Sequence, residues 1–399
     1  MDDVVIVSAA RTPFGKLGGA LSRLTAMELG GLALAQVLSR AGLAGHQVDE
    51  VVLGQVVTAG QGQVPARQAA ALAGLPPTVP ALTVNKVCGS ALKAVTLAAQ
   101  AIKAGDADIV LAGGMESMSQ IPYLSRTMRF GARSNHVQLD DAMIWDGLWC
   151  PENDVHMAVL AGAVAAEHGV TRSQQDAWAC RSQQRWAAGE AAGRFDQERF
   201  PVELTGKRGQ VHSVTRDEGP RPDTTEQGLA RLPALFRADG TVTAGNAPGT
   251  NDGAAVLALA SRSKAQALGL RPLARLAGYA QRSRPAREIA TVPGLAAQAL
   301  MERHRLSLAD FDLIEINEAF AAVPLVSGLS VLGLSQTQLE DKVNVNGGAV
   351  AVGHPIGASG ARILMTLIFE LRRRSLRSGL ATICSGTAQG DAVWVEVEP

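Results

Sequence analysis

Three side chains with nucleophile or base chemistry, Cys88, His354 and Cys384, stand in or beside glycine-bearing turns between apolar runs. Cys88 lies in Asn85-Lys86-Val87-Cys88-Gly89-Ser90, where a strand-like run gives way to a stretch of helical period. A thiol there meets the partial positive charge and free N–H groups of a helix N-terminus, which favour the nucleophilic thiolate. Read alone, the same cysteine is also a small buried hydrophobe. His354 lies in Gly353-His354-Pro355-Ile356-Gly357-Ala358-Ser359-Gly360, where glycines and a proline make a rigid turn before a helix. An imidazole fixed there is a general base or an oxyanion donor, or else a structural cap. Cys384 precedes Ser385-Gly386-Thr387-Ala388-Gln389-Gly390, a turn able to present a thiol and backbone N–H groups at one point. Asn317, in Asn317-Glu318-Ala319-Phe320, follows the apolar run Leu313 to Ile316, and binding groups of open α/β sheets collect at such strand ends.

The elements that position these groups read as α/β. Short β-branched runs bounded by Gly or Asp alternate with Ala/Leu stretches of helical period: Val4 to Val7, then Ala26 to Leu38, then Val51 to Val57. Strands apolar on both faces imply a sheet covered by helices on each side, with parallel or mixed pairing. Ala91 to Ala104 reads as a helix stopped by Gly105, followed by the buried strand Asp108 to Ala112 running into a Gly113-Gly114 turn. The C-terminal part repeats that order: a strand at Val343 to Asn346, the turn carrying His354, a helix from about Gly360 to Arg374, and a strand at Leu380 to Ile383. Two similar halves, or a chance recurrence of βαβ units, both account for that order. Between them, Ile121 to Asn251 is less regular and reads as a loop-rich excursion covering a site.

Composition narrows the function classes. Lys plus Arg and Asp plus Glu number 37 each, so no net field draws the chain to nucleic acid or to a membrane. Four dispersed cysteines without a Cys-x-x-Cys pair argue against a disulfide framework and a zinc site, and favour a reducing, cytoplasmic setting. The opening residues, Met1-Asp2-Asp3 and then Val4 to Val7, read as a strand rather than a secretory signal.

With these residues in view, the chain resembles the thiolases. The blocks Asn85 to Ser90, Ala112-Gly113-Gly114-Met115-Glu116-Ser117-Met118-Ser119, Asn317 to Phe320 and Gly353 to Gly357 look like that family's signatures and come in its order. Ser8 to Gly15, Pro65 to Gln68 and Thr243 to Ala247 agree, so the likeness runs almost from end to end. The resemblance implies two βαβαβαββ halves in a five-layer α-β-α-β-α arrangement. It divides the chain into 1–120, the excursion 121–250, completion of the first half at 251–273, and a C-terminal half at 274–399. It implies reversible condensation of two acetyl-CoA to acetoacetyl-CoA, with a degradative 3-oxoacyl-CoA thiolase of broader chain range as the alternative. Cys88 would carry the acyl group, His354 assist removal of its proton, and Cys384 act as base on the second substrate. One oxyanion hole would form from His354 and a water held by Asn317, another from the N–H groups of Cys88 and Gly386. Leu148, His156, Met157, Arg221, Phe236, Ala244, Ala319 and Phe320 match CoA-contacting positions. No metal and no resident cofactor are implied, coenzyme A being substrate and product. A homo-oligomer is expected, a tetramer before a dimer.

Two departures stand out. Thr387 occupies a position where the family commonly has glycine, which would narrow the acyl pocket, and Pro248 replaces a serine beside the expected pantetheine path.

Overall fold

The computed structural model describes residues 2–206 and 209–398; the outermost domain bounds, Met1 and Pro399, lie outside the described residues. Nine strands form one hydrogen-bonded path: β1 (Val4–Arg11), β2 (Glu50–Gly54), β3 (Ala81–Val84), β4 (Ile109–Ser117), β5 (Asn251–Ser261), β6 (Ala274–Ser283), β7 (Leu313–Ile316), β8 (Ser378–Ser385) and β9 (Gln389–Glu396). Their order is β7-β8-β9-β6-β1-β5-β4-β2-β3, and a two-residue strand at Gly15–Lys16 also pairs with β5.

The path is two copies of one pattern. In the first half β3 and β4 flank β2 in parallel, and β5 and then β1 follow antiparallel. In the second half β8 lies parallel to β7, β9 and then β6 follow antiparallel, and a single parallel bridge from Val343 to Ile314 stands where β3 stands in the first. The strand expected at Val343 to Asn346 is thus reduced to a bridge, because Asn344 takes a left-handed φ of 45° and its side chain bonds Ile316 instead. The halves join where β1 meets β6 at Val5 and Ile6.

Five layers follow from burial on both faces of each half sheet. Helices α1 (Ala26–Ala41) and α2 (Pro65–Leu72) cover one outer face; α3 (Ser90–Ala104) packs beside α7 (Ser359–Arg373) in the middle; α6 (Val292–His304) covers the other outer face. Three apolar clusters fill the spaces between them. Local signals agree: α1 starts at a capping box of Thr25 and Glu28 and stops at Gly42 in the left-handed region.

Gly113 and Gly114 are not a turn. They lie inside β4, where a Cβ on Gly113 would come within 2.1 Å of Ala255 O and one on Gly114 within 1.9 Å of Gly357 O. Their lack of a side chain admits β5 on one side and the His354 turn on the other. The excursion also holds more regular structure than its sequence suggests, with α4 (Met157–Glu167) and α5 (Arg172–Ala191), a 20-residue helix. Polar Gln175, Asp176, Ser182 and Gln183 are buried on α5, so no apolar stripe betrays its period.

Candidate active site

The duplicated topology places two turns at equivalent positions. Cys88 precedes α3 in the first half, and His354 precedes α7 in the second. The Cys88 turn is tightly wound: Asn85 Oδ1 accepts from Val87 N at 3.0 Å, Ser90 Oγ accepts from Lys86 N at 2.8 Å, and Val87 sits at φ 45°. A β-branched residue in that region is strained, and the strain persists because hydrogen bonds on either side fix it.

The Cys384 turn at the β8–β9 hairpin closes on this one. A Cβ on Gly89 would lie 2.3 Å from Ser385 Oγ, and a Cβ on Gly386 3.1 Å from the Val87 side chain. Lys86 Nζ also pairs with Asp391 Oδ2 of β9 at 2.7 Å. The two cysteine turns are therefore interlocked across the halves.

His354 is fixed from three sides. Its N donates to Asn251 Oδ1 at 3.0 Å, and Gly353, at φ 104°, has no room for a Cβ, which would meet Asn251 Cγ at 2.3 Å. Its Nδ1 lies 2.6 Å from Ser359 Oγ, whose own hydrogen goes to Pro355 O at 3.0 Å. That network assigns the proton to Nδ1 and leaves the Nε2 lone pair free; among the described residues no group bonds Nε2. Burial, with Arg362 nearby, depresses the imidazole to about 3, so it is a neutral acceptor at physiological pH.

The thiols correct the expectation of a lowered pKa. Helix α3 begins only at Ser90, two residues past Cys88. Cys88 is half-buried, its exposed surface being cavity wall, yet burial among protein groups still pushes the thiol up to about 12, and the Glu116 carboxylate adds to the rise. Cys384, fully buried, is raised by burial and by neighbouring Cys88. Desolvation outweighs the helix terminus, so both rest as neutral thiols.

Comparison with known proteins agrees with this arrangement. Residues 4–263 match the family model "Thiolase, N-terminal domain" and residues 270–397 "Thiolase, C-terminal domain". The chain belongs to the thiolase family. Among curated relatives, an acetyl-CoA acetyltransferase of Pseudomonas aeruginosa is 50% identical over 393 residues (98% of this chain, 99% of that one). One of Allochromatium vinosum is 49% identical over 397 residues (99% of each). Among solved structures, Bacillus anthracis acetyl-CoA acetyltransferase superposes with a TM-score of 0.95 at 40% identity, covering 100% of this chain and 99% of that one. Human mitochondrial 3-ketoacyl-CoA thiolase gives 0.94 at 37%, with the same coverage.

In this thiolase Cys88, His354, Cys384 and Gly386 line one cavity of about 660 Å³. Leu148, His156, Met157, Phe236, Ala319 and Phe320, expected as CoA contacts, line it as well. His156 also has structural work: its Nδ1 accepts from Ala158 N at 3.1 Å as the cap of α4, and its ring stacks on Phe236 at 4.0 Å. Burial lowers it to about 4, so it stays neutral. Arg221 and Ala244 are exposed and do not line the cavity. Asn317 does not line the cavity; it is fully buried, with Oδ1 3.4 Å from Arg362 Nη2 and, among the described residues, no partner for Nδ2. Pro248 and Thr387 both line the cavity, Thr387 at a left-handed φ of 57°.

Sequence reasoning passed over several residues that build this site. Ser359 and Glu116 stand inside quoted motifs, but nothing in their spacing shows what they hold. Glu318 gathers four donors, from Trp178, Asn344, Ser182 and Val350 N, and so ties the strand end beside Asn317 to α5. Trp145 and Trp149, stacked at 6.5 Å, wall the cavity from a segment read as irregular.

Proposed function

We propose that the protein is an acetyl-CoA acetyltransferase that joins two acetyl-CoA into acetoacetyl-CoA and free CoA, and runs the reverse thiolysis. The observation that carries the mechanism is convergence: a free imidazole acceptor, two thiols and a glycine turn meet in one largely apolar cavity. The choice of substrate leans on relatives of that name at up to 50% identity over almost the full chain, against 37% for the 3-ketoacyl-CoA thiolase. The degradative reading is not favoured.

His354 Nε2 takes the Cys88 proton as Sγ attacks the thioester carbonyl. The carbon–sulfur bond to CoA breaks, and the departing thiolate takes its proton from Cys384. The thiolate left on Cys384 removes a proton from Cα of the second acetyl-CoA; burial, which raises its pKa, makes it the stronger base. The carbanion attacks the acetyl-Cys88 carbonyl, the bond to Sγ breaks, and His354 returns the proton to Cys88. Negative charge builds on a thioester oxygen in each half. The N–H groups of Cys88 and Gly386 serve one such oxygen, while protonated His354 and a water on Asn317 Nδ2 serve the other. Leu148, His156, Met157, Phe236, Ala319 and Phe320 flank the pantetheine arm; Arg221, the expected contact near the nucleotide end, and Ala244, expected along the pantetheine channel, lie outside the cavity lining. Coenzyme A is substrate and product, and no resident cofactor or metal takes part.

Among the described helices, none is long and apolar enough to cross a membrane. We place the enzyme in the cytoplasm as a homo-oligomer, a tetramer before a dimer. Tyr123, Met128, Phe130, Val137 and Leu139 expose apolar surface on one stretch of the excursion, Phe130 at 94%, which suits contact between copies.

Substrate choice is tested by following thiolysis of acetoacetyl-CoA and of 3-oxohexanoyl-CoA. The four-carbon substrate is expected to be cleaved with at least about tenfold higher kcat/KM, the scale set by a misfit of two methylenes. Preference for the six-carbon substrate would overturn the assignment.

A pH experiment tests the resting state of the pair. With His354 depressed to about 3 and Cys88 raised to about 12, neither group changes charge between pH 5 and 7, and the window stays below the range in which Glu116, pushed by burial up to about 8, gives up its proton. Single-turnover acylation of Cys88 by acetyl-CoA is expected to vary by less than about twofold across that window, with no inflection near the ordinary histidine pKa of about 6.5. A tenfold loss on acidification from pH 7 to 5 would show that His354 charges in that range.

A further inference from the structure

Cys88 and His354 come from different halves of the chain, so something must set their separation. Glu116 lies near the end of β4 and is fully buried. Its Oε2 accepts from Val56 N at 2.9 Å and its Oε1 from Val57 N at 3.2 Å, and the backbone of Gly357 lies against the same carboxylate, where its N–H favours the charged form. The approach to Gly357 is so close that a Cβ there would come within 2.6 Å of Oε2. Its partners are amides rather than a cation.

Those amides lead to both turns. Val56 O accepts from Asn85 Nδ2 at 3.1 Å, and Asn85 Oδ1 holds Val87 N, so the Val56 side leads to Cys88. Gly357 closes the turn that carries His354. The two halves use this strand position differently: Glu116 faces Gly253 across β4 and β5, as Cys384 faces Gly390 across β8 and β9. One half supplies a thiol there and the other a clamp. Burial pushes Glu116 itself up to about 8 against the N–H groups that lower it, and in its charged form it raises the Cys88 pKa, so charge is not what the clamp gives the nucleophile. An uncompensated acid in such a place destabilises the fold unless its geometry is needed.

We propose that Glu116 is a positioning residue that sets the distance between Cys88 and His354 by holding amides of both turns on one carboxylate. The proposal rests on the roles given above to those two residues. In Glu116→Gln an NH2 group replaces one acceptor oxygen and opposes a backbone N–H. Acylation of Cys88 by acetyl-CoA, read by mass spectrometry, is expected to slow about 100-fold, as about 1 Å of misplacement does elsewhere, with KM for acetoacetyl-CoA within about threefold. A loosened His354 gains water, so the acylation profile acquires an inflection between pH 5 and 7 that the wild type lacks. Because Glu116 acts through His354, adding Glu116→Gln to His354→Ala is expected to cost less than about threefold more.

A folded Glu116→Gln protein with wild-type acylation and a flat profile overturns the proposal, as does a further 100-fold loss in the double variant. If Glu116→Gln does not fold, Glu116→Asp carries the test: it keeps the carboxyl group but withdraws it by one methylene, and is expected to slow acylation about tenfold. Unchanged acylation in that variant likewise overturns the proposal. Wild-type protein that forms no acyl-enzyme at Cys88 refutes the role of Cys88 instead, so the two failures are distinct.

Discussion

Cys88→Ala is expected to lower thiolysis of acetoacetyl-CoA by about 10⁴-fold or more, the scale on which loss of a covalent nucleophile falls, while the protein remains folded. That is a rise of at least about 5 kcal/mol in the barrier. The chemical reason is that no other thiol can take the acyl group where His354 can receive a proton. Cys384 shares the cavity but ends a fully buried strand, and Cys150 and Cys180 are buried in the excursion. Folding is spared because Sγ of Cys88 faces the cavity, so alanine there removes little packing, about 1 kcal/mol at most. The measurement is steady-state loss of the 3-oxoacyl thioester beside thermal unfolding of the same preparation. Residual turnover within tenfold of wild type would refute the covalent route.

How much of this was legible in the sequence depends on which force fixed each part. The alternation of strands and helices was readable because strands such as β1, β4 and β5 are buried apolar runs and α3 carries one buried stripe, whereas β6 alternates and α7 is buried almost all round. Helix α5 was not, because its buried face is polar and is matched by groups far away in sequence, such as Glu318 and Thr241. Gly113 and Gly114 looked like a turn because glycine is ambiguous in sequence; only the neighbours that press on them, Ala255 and Gly357, show that they are strand. Motif and turn single out Cys88, His354 and Cys384, which the structure brings to one cavity, but not their protonation. A helix terminus is visible in a sequence, whereas burial that raises a thiol and depresses an imidazole depends on packing between halves some 260 residues apart. Glu116 was quoted within a motif, yet its role rests on Val56 and Gly357, which no spacing connects to it.

Cys384→Ala is expected to separate the two halves of the reaction. Acylation of Cys88 needs His354 Nε2, which the substitution leaves in place, so one acetyl group per chain is still expected to accumulate from acetyl-CoA. It would form more slowly, because the departing CoA thiolate must take its proton from water. Removal of the Cα proton has no such substitute in an apolar cavity. Condensation is therefore expected to fall by about 10³-fold, within the range general base catalysis supplies, and acetyl-enzyme to persist. Mass spectrometry of the intact chain beside acetoacetyl-CoA formation reads both quantities from one sample. A Cys384→Ala enzyme that condenses normally would remove Cys384 as the base, and one that never acylates would show that proton delivery to the leaving thiolate is its larger contribution. The asymmetry follows from the two roles: Cys88 has an imidazole that takes and returns its proton, whereas Cys384, near the end of a buried strand and lining the same cavity, is the group left to act on the second substrate.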